Sequence, residues 1–481
     1  MTTSLSTDLL TATAQKLSAA NAAFAASYPG DPVDRQPVHT LYGGAHLFRA
    51  GVQAKLGSIA LRTLTGYAPD FCTFARALGL KGSETLPSDS GEIAALGAAL
   101  AHAGDDGAAL NEPAHLAWTI YERVCAKLVA EPIEDQRIDF EDGYGNRPDA
   151  EEDGHAAQAA AELAEAMATG SLGPFIGIRI KPFTEESRRR AVRTLDLFIT
   201  ALASATGGAV PHGFVVTLPK ISVPAQVSAL ADLLDALETA NGIPAGAIGI
   251  DLMIEVTQAI LDTHGRNAVP SLVRAGRGRV RAAAFGTYDY TATCNITAAF
   301  QTHTHPACDF ARHVMQVSLA GTGVTMSDGA TTVMPIGPHR AAKGEGLSPQ
   351  HMAENRAVVH SGWKLHFDNI FHSLGHGVYQ GWDLNPGQLP VRYAAVYSFF
   401  LGGLSDASLR LDKFLKQAAQ ATLVGNTFDD AATGQGLLNF FLRGMACGAL
   451  TEAEVLATGI TLTELRSRSF VQIVAGRTEV T

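Results

Sequence analysis

Three acidic residues lie close together where a short apolar run ends and a glycine turn begins. They are Asp139, Glu141 and Asp142, within residues 137–146. Three neighbouring like charges are unfavourable unless a cation or an outward-facing site relieves the repulsion. Carboxylates are the ligands that Mg²⁺ prefers, and such ions often serve chemistry on oxyacids. The stretch therefore indicates a metal-assisted site, and a solvated acidic loop is the alternative.

Charged residues also follow later apolar runs of the chain: Arg179, Lys220, Glu255 and Asp289. Glu255 and Asp289 are candidate carboxylate ligands for Mg²⁺ or Mn²⁺, which take oxygen ligands and keep open positions for water or substrate. Arg179 carries a permanently charged, forked guanidinium, which suits an oxygen on which negative charge develops. On this interpretation, the three acids of residues 137–146 orient metal-bound water or Arg179.

Eight short, β-rich apolar runs are needed to position these side chains. They cover residues 38–44, 137–142, 174–180, 213–219, 248–256, 280–289, 331–336 and 381–386. Amphipathic segments lie between them, for example residues 186–203 and 224–241. Strands that alternate with helices are typical of parallel βαβ units, and eight units predict an α/β fold of the TIM (β/α)8 barrel type. In such a barrel, the carboxyl ends of the strands carry the active site.

Two parts of the chain exceed what a plain barrel requires. About ninety residues separate the first two runs, and helical patterns at residues 51–64, 90–103 and 115–129 fill that insertion. Beyond residue 395 the strand patterns stop and helical ones continue. We therefore predict an N-terminal helical segment over 1–36, a TIM barrel catalytic domain over 37–395 and a C-terminal helical cap domain over 396–481.

The composition excludes several classes of protein. The chain has 481 residues, of which 46% are hydrophobic, and its net charge of −11 gives no general attraction for nucleic acid or anionic membrane. Its five cysteines are scattered and lack CxxC spacing, which predicts reduced thiols and a cytoplasmic location. Residues 1–30 are interpreted as an amphipathic helix because no basic leading segment or uninterrupted apolar core is present. No stretch has the length and apolarity of a membrane span.

The motifs at the run ends resemble those of the citrate lyase β-subunit, malyl-CoA lyase and malate synthase superfamily, in an aldolase-like branch. The matching segments are Asp-Phe-Glu-Asp at 139–142, Ile-Arg-Ile at 178–180, Leu-Pro-Lys at 218–220, Ile-Glu at 254–255, Gly-Thr-Tyr-Asp at 286–289 and the last-strand segment 377–389. The resemblance implies that Arg179 binds substrate and enolate and that Glu255 and Asp289 bind the metal. The other site residues that we predict are Asp142 for catalysis and Glu141, Lys220, Gly286 and Thr287 for substrate binding.

One motif in the tail also resembles malate synthases. Residues 428–433, Phe-Asp-Asp-Ala-Ala-Thr, are similar to the Glu-Asp-Ala-Ala-Thr motif in which an aspartate removes a proton from the acetyl methyl group. That role would fall on Asp430, although the same run is also typical of a helix N-cap. Two departures separate this chain from the family pattern: Asn385 replaces the expected histidine, and Lys220 fits the smaller lyases better than malate synthases.

These features predict a Mg²⁺-dependent carbon–carbon bond lyase or synthase that works through an enolate. An α-oxo acid such as glyoxylate and an acyl-CoA would be its small-molecule partners, and the resemblance implies a homo-oligomer. One alternative is a CoA-independent, metal-dependent aldolase that cleaves hydroxy-oxo acids. Another is a non-catalytic binding subunit, which the combination of Arg179, Glu255 and Asp289 disfavours because grouped charges cost stability and suit a working site.

Histidines form a second group of candidates. His366, His372 and His376 are spaced by six and four residues on a predicted helix. Only the last pair shares a helix face, and no nearby acid completes a ligand set with them, so we do not predict a metal site there. His303 and His305 either line the substrate entrance or pack a loop. Residues 327–331 precede the seventh predicted strand, which would place them at the end of the barrel opposite the active site.

Overall fold

Eight parallel strands form a closed barrel in this computed structural model. The structure describes residues 4–32, 34–104, 107–341, 346–416, 422–424, 427–429, 431–470, 472–473 and 476–477. The barrel strands are β1 His39–Gly44, β2 Asp135–Asp139, β3 Phe175–Arg179, β4 Val215–Leu218, β5 Gly249–Ile254, β6 Val280–Phe285, β7 Thr325–Ala330 and β8 Gln380–Asp383. Each strand pairs with its neighbours in chain order, and β8 pairs with β1. The predicted TIM barrel is confirmed.

Helices cover the outside of the barrel. They are α7 Asp149–Thr169, α8 Arg188–Thr206, α9 Pro224–Asn241, α10 Thr257–Ile260, α11 Val269–Ala275, α12 Thr287–Thr293, α13 Pro306–Leu319 and α14 Pro349–Gly375. In α8, Leu195, Phe198, Ile199 and Leu202 are buried, a spacing that produces one apolar face directed at the strands. Gly207 ends this helix with φ 68°, a left-handed conformation that favours glycine.

The predicted helical insertion lies between β1 and β2. Its helices are α2 Val52–Tyr67, α3 Phe71–Leu78, α4 Ser90–Ala103, α5 Gly107–Leu110 and α6 Glu112–Ala130. One buried apolar cluster joins the insertion to later parts of the chain. It contains Phe74 of α3, Trp363 of α14 and Phe400 of the C-terminal part of the chain. The insertion therefore gives the tail a surface on which to pack.

The two ends of the chain differ in how they pack. The first helix, α1 Thr7–Ser27, has no buried residue. The C-terminal elements are α15 Leu389–Lys416, β9 Thr422–Val424, β10 Thr427–Asp429, α16 Ala431–Ala446, α17 Glu452–Leu456 and α18 Leu462–Ser467. The antiparallel pair β9–β10 was not predicted, and α15 runs through the boundary proposed at residues 395 and 396. No helix among the described residues is long and apolar enough to span a bilayer.

Two strand predictions are wrong in position. The seventh strand is Thr325–Ala330 and not residues 331–336, because Ser327 and Asp328 give its sequence the character of a polar turn. The Asp328 carboxylate is nevertheless buried. Its desolvation is compensated because Arg312 Nε and Ser373 Oγ donate to it at 2.7 and 2.6 Å. The sixth strand ends at Phe285, so Asp289 lies in the first turn of α12.

Candidate active site at the carboxyl ends of the strands

Arg179, the last residue of β3, lies at the centre of the charged group at the strand ends. Its Nε and Nη2 donate to the two carboxylate oxygens of Asp139 at 2.7 and 2.5 Å. Its Nη1 lies 3.1 Å from Glu141 Oε2, and the side chain is only 5% exposed. Asp139 also accepts the backbone N–H groups of Glu141 and Gly143 at 2.9 and 2.7 Å. The acidic stretch thus fixes a buried guanidinium in one orientation.

Two aromatic rings from the first and last strands flank this guanidinium. The Tyr42 and Trp382 ring centroids lie 4.7 and 5.9 Å from the Arg179 Cζ, and 4.6 Å from each other. Tyr42 Oη and Trp382 Nε1 are buried atoms without a hydrogen-bond partner in the described part of the chain. Burial raises the pKa of Tyr42 well above its usual value, which keeps its hydroxyl a donor. Unpartnered donors beside an arginine are suited to a carboxylate ligand.

Neither Tyr42 nor Trp382 was among the site residues predicted from the sequence. The signal in the sequence was positional. Each is an aromatic residue inside an apolar run, and Trp382 lies three residues before Asn385, inside the resembling segment 377–389. Alternation along a strand makes such a residue face either the barrel interior or the helices, and the sequence alone does not decide which.

Lys220 follows β4 and connects the acidic groups of several strands. Its Nζ lies 2.5 Å from Glu141 Oε1, 3.3 Å from Asp142 Oδ2 and 3.7 Å from Asp289 Oδ2. Its backbone N–H donates to Glu255 Oε1 at 2.7 Å. Lys220 has φ 51°, and a left-handed conformation costs a residue other than glycine about 1–2 kcal/mol. The contacts of this residue with four acids, Glu141, Asp142, Asp289 and Glu255, offset that strain.

Glu255 follows β5 and is deeply buried, at 1% exposure. Burial raises its pKa to about 8; Lys220 lowers it, whereas Asp289 raises it. Gly286 makes the room for this side chain, because a Cβ built on Gly286 would lie 2.5 Å from Glu255 Cβ and 2.6 Å from Glu255 Oε2. A protonated, buried carboxyl group at neutral pH is a group that a cation would ionise.

The remaining predicted site residues lie around this centre. Asp289 and Asp142 are more exposed, with 42% and 62% of their side chains accessible. The Asp142 pKa is lowered: burial acts in the opposite direction, but Lys220, Glu141 and Arg179 together outweigh it. Thr287 is buried in α12, and its Oγ1 has no hydrogen-bond partner among the described residues. Asp430, predicted as the base, lies outside the described residues.

The carboxyl groups at the strand ends outnumber the cationic side chains. The acids are Asp139, Glu141, Asp142, Glu255 and Asp289, and the cations are Arg179 and Lys220. A divalent cation with oxygen ligands fits this excess of negative charge. Glu255 and Asp289 belong to no group of three described His, Cys, Asp or Glu residues whose ligand atoms lie within 4.8 Å of one another. Oxygens of substrate or water would therefore complete the coordination of an ion held by these two carboxylates.

The histidines lie away from this group and make other contacts. His366 is buried, with Nε2 3.0 Å from Asp383 Oδ1 and Nδ1 2.9 Å from Thr331 Oγ1. His303 Nε2 lies 3.0 Å from Ser373 Oγ, and His305 Nδ1 accepts the first backbone N–H contact of α13. These contacts agree with the packing interpretation of His303 and His305. The prediction that no nearby acid completes a ligand set with His372 and His376 is wrong, because Asp309 of α13 lies beside both of them.

Solved structures share the barrel. A citrate lyase from Burkholderia xenovorans LB400 matches with a TM-score of 0.51 at 16% identity, over 70% of this chain and 92% of that chain. At that identity the likeness concerns the fold alone, and it agrees with the TIM barrel that the strand pattern predicted.

Two further structures match less closely. The protein CitE from Mycobacterium tuberculosis, in complex with magnesium, acetoacetate and coenzyme A, gives a TM-score of 0.43 at 16% identity over 68% of this chain and 94% of that chain. A magnesium/glyoxylate complex of Haloferax volcanii malate synthase gives 0.40 at 15% identity, over 70% of this chain and 88% of that chain.

None of the curated proteins matches the chain. A family model does match it, over residues 17–473, and its description is Domain of unknown function (DUF6986). The match includes the insertion, the barrel and most of the C-terminal elements described above. The chain belongs to the DUF6986 family.

Proposed function

We propose that this protein is a Mg²⁺-dependent carbon–carbon bond lyase or synthase that acts on an α-oxo acid through an enolate. The observation that carries the proposal is the buried Arg179 guanidinium, which Asp139 and Glu141 hold in place and whose charge acts on Glu255. A fixed positive charge in a site of low exposure stabilises a developing oxyanion more than a solvated charge does. The fold and the motif resemblance support the same class of chemistry.

Arg179 and its aromatic neighbours supply the binding of the oxo acid. In the proposed complex, the guanidinium offers its charge to the enolate oxygen. Tyr42 Oη and Trp382 Nε1, which lack partners among the described residues, donate to the substrate carboxylate. Lys220 neutralises Glu141 and Asp142, so that these acids do not repel the incoming anion.

Glu255 and Asp289 would hold the metal ion. Bound there, Mg²⁺ would supply Lewis acidity toward the carbonyl and carboxylate oxygens of the oxo acid. Glu255 must lose its proton to solvent before it can serve as a ligand, since its pKa is about 8. Gly286 leaves the space that this carboxylate occupies.

The base remains a proposal from the motif alone. Asp430 would take a proton from the methyl carbon of an acyl-CoA, or of a pyruvate-like donor in the CoA-independent variant. An Asp430→Asn enzyme should keep Mg²⁺ binding and lose hydrogen–deuterium exchange at that carbon. Unchanged exchange would remove Asp430 from the mechanism.

The test of the proposed function is thiol release when the protein is mixed with acetyl-CoA, glyoxylate and Mg²⁺. Release that depends on glyoxylate and stops with EDTA supports condensation followed by thioester hydrolysis. Without release, 4-hydroxy-2-oxo acids and β-hydroxyacyl-CoA esters should be screened for an oxo acid product. Cleavage without CoA would favour the aldolase alternative, and failure to bind Mg²⁺ would favour a binding subunit.

We also propose a homo-oligomer. The support is α1, which buries no residue and exposes Leu9, Leu17 and Phe24. Large exposed apolar side chains on one helix are typical of surfaces that other chains cover. Light scattering should give a multiple of the chain mass for the wild type and a smaller multiple after Leu9, Leu17 and Phe24 are changed to serine. A monomeric wild type would contradict the proposal.

A further inference from the structure

A second group of ligand-type side chains lies on the outer layer of the barrel, between α13 and α14. One ligand atom from each of Asp309, His372 and His376 lies within 4.8 Å of the other two. In the described part of the chain, this is the group of three His, Cys, Asp or Glu side chains that meets such a limit. All three side chains are partly exposed, so the group is accessible from solvent.

Helical spacing explains why these residues converge. His372 and His376 are four residues apart, so that both project from the same face near the end of α14. Asp309 lies in the first turn of α13, and His313 follows it by four residues on the same face. The His313 and His376 ring centroids are 5.5 Å apart, so His313 lies beside the group as a possible fourth donor. Metal sites between facing helices are commonly built from such pairs.

Hydrogen bonds already orient the three donors. His376 Nδ1 lies 2.7 Å from the His372 carbonyl oxygen, which makes Nδ1 the donor and leaves the Nε2 lone pair free to bind a ligand. Asp309 Oδ1 accepts from His372 Nε2 at 2.8 Å and from Arg312 Nη1 at 2.9 Å. The pKa of Asp309 is lowered: burial acts in the opposite direction, but His372 and Arg312 outweigh it. The carboxylate is therefore ionised and ready to bind a cation.

The donor types select the class of ion. Two imidazoles and one carboxylate suit Zn²⁺ and related transition ions, whereas Mg²⁺ prefers oxygen ligands alone. Donor atoms bound to one Zn²⁺ at about 2.0–2.2 Å must lie within roughly 4.4 Å of one another. The ligand atoms of the group lie within 4.8 Å of one another, so small rotations of the side chains would complete a site. The ion would replace the proton that Asp309 and His372 now share.

We propose that Asp309, His372 and His376 bind one Zn²⁺-type transition ion that fastens α13 to α14, at a site separate from the strand ends. The neighbouring contacts support a structural role. Arg312, beside Asp309, reaches Asp328 of β7 at 2.7 Å, and Ser373, beside His372, reaches the same carboxylate at 2.6 Å. An ion at this position would therefore stabilise the junction of two helices with the barrel wall.

The experiment measures Zn²⁺ binding by the full-length, metal-stripped protein in a buffer that contains excess Mg²⁺. Titration calorimetry should give one Zn²⁺ per chain, and His376→Ala should weaken its affinity on the order of 100-fold, as expected for one lost ligand. Zn²⁺ should raise the melting temperature of the wild type and not that of His376→Ala. His376→Ala keeps the backbone N–H that ends α14, so the variant is expected to fold.

Two control variants locate the ion. His351→Ala removes a histidine at the other end of α14, where its ring stacks on His339 at 4.0 Å, and should leave the affinity unchanged. Glu255→Gln with Asp289→Asn should abolish Mg²⁺-dependent effects and also leave Zn²⁺ binding unchanged. Asp309→Asn should weaken Zn²⁺ binding as His376→Ala does.

Three results would overturn the proposal. The first is no Zn²⁺ binding by the wild type. The second is loss of binding in His351→Ala with retention in His376→Ala, which would place the ion on the surface pair His339 and His351. The third is loss of Zn²⁺ binding in the Glu255 and Asp289 double variant alone, which would place the ion at the strand ends. Failure of the thiol-release assay would leave this proposal unaffected.

Discussion

The strand ends and the α13–α14 junction both contain buried or half-buried carboxylates, but these carboxylates have different neighbours. At the strand ends, Arg179 and Lys220 lie among carboxylates, and the donors are oxygens. At the helix junction, two imidazoles accompany Asp309. The first arrangement suits Mg²⁺ and a substrate anion, and the second suits a transition ion that holds two helices together. The difference shows that the neighbours of a carboxylate decide its chemistry.

The largest expected effect is a loss of thiol-release activity that leaves Zn²⁺ binding at the helix junction intact. Arg179→Lys keeps a positive charge but loses the two-point pairing with Asp139, so thiol release should fall about 10²–10³-fold. Zn²⁺ binding at the helix junction should not change. Arg193→Lys, whose arginine pairs with Asp153 on the exposed surface, is the matched control and should retain activity. Full activity of Arg179→Lys would show that Arg179 does not bind the enolate.

A change at Glu255 tests how the stability of the protein depends on the strand-end carboxylates as pH changes. The folded pKa of Glu255 is about 8, above its ordinary value of 4.5, so the folded state binds more protons between these values. The free energy of unfolding in EDTA should therefore fall as pH rises through this window, by a few kcal/mol at most. Glu255→Gln should remove that slope and weaken Mg²⁺ binding.

Urea unfolding of both proteins in EDTA, between about pH 5 and pH 9, measures the slope. Parallel stability curves for the two proteins would contradict the raised pKa of Glu255. Mg²⁺ titrations of the same samples then show whether the carboxylate is a ligand.

The space around Glu255 gives a smaller effect. Gly286→Ala places a Cβ 2.5 Å from Glu255 Cβ, which should displace the carboxylate, destabilise the protein by about 1–3 kcal/mol and reduce activity. Gly154→Ala is the matched control, because Gly154 lies in α7 with no atom within 4 Å of the added Cβ. That control should be neutral or stabilise by up to about 1 kcal/mol. Melting curves and thiol release measure both variants, and equal behaviour would contradict the role given to Gly286.

The aromatic pair gives the smallest expected effect. Trp382→Phe removes a donor that has no partner among the described residues, so KM for the oxo acid should rise up to about tenfold with little change in stability. Trp363→Phe is the control with the opposite expectation. The Trp363 Nε1 donates to the Gly387 carbonyl oxygen at 2.9 Å, so losing this hydrogen bond should lower the free energy of unfolding by about 1–3 kcal/mol and leave KM unchanged. If KM is unchanged in Trp382→Phe, Trp382 does not contact the substrate.

The sequence allowed prediction of the barrel and most of its strands because continuous apolar runs alternate with amphipathic helices. Prediction failed at β7, where Ser327 and Asp328 resemble a turn and only buried partners such as Arg312 make the strand favourable. The sixth strand was predicted to reach residue 289, but it ends at Phe285, and Asp289 lies in α12.

At the candidate site, sequence position alone indicated Arg179, Lys220, Glu255 and Asp289, because strand ends meet in a closed barrel. The left-handed conformation of Lys220, the burial of Glu255 and the aromatic flanks of Arg179 depend on residues far away in the chain. The same reason explains why Asp309 was not associated with His372, since 63 residues separate them.

The sequence by itself determined the strand and helix pattern, the acid-rich strand ends and the family motifs, because each is a local property of residue type and spacing. Only the tertiary structure decided which charges pair, which carboxyl group is buried and which donors lack partners. Those properties arise when barrel closure and helix packing remove water from side chains that are distant in the chain, and the resulting loss of solvation sets the pKa of Glu255 and the contacts of Arg179.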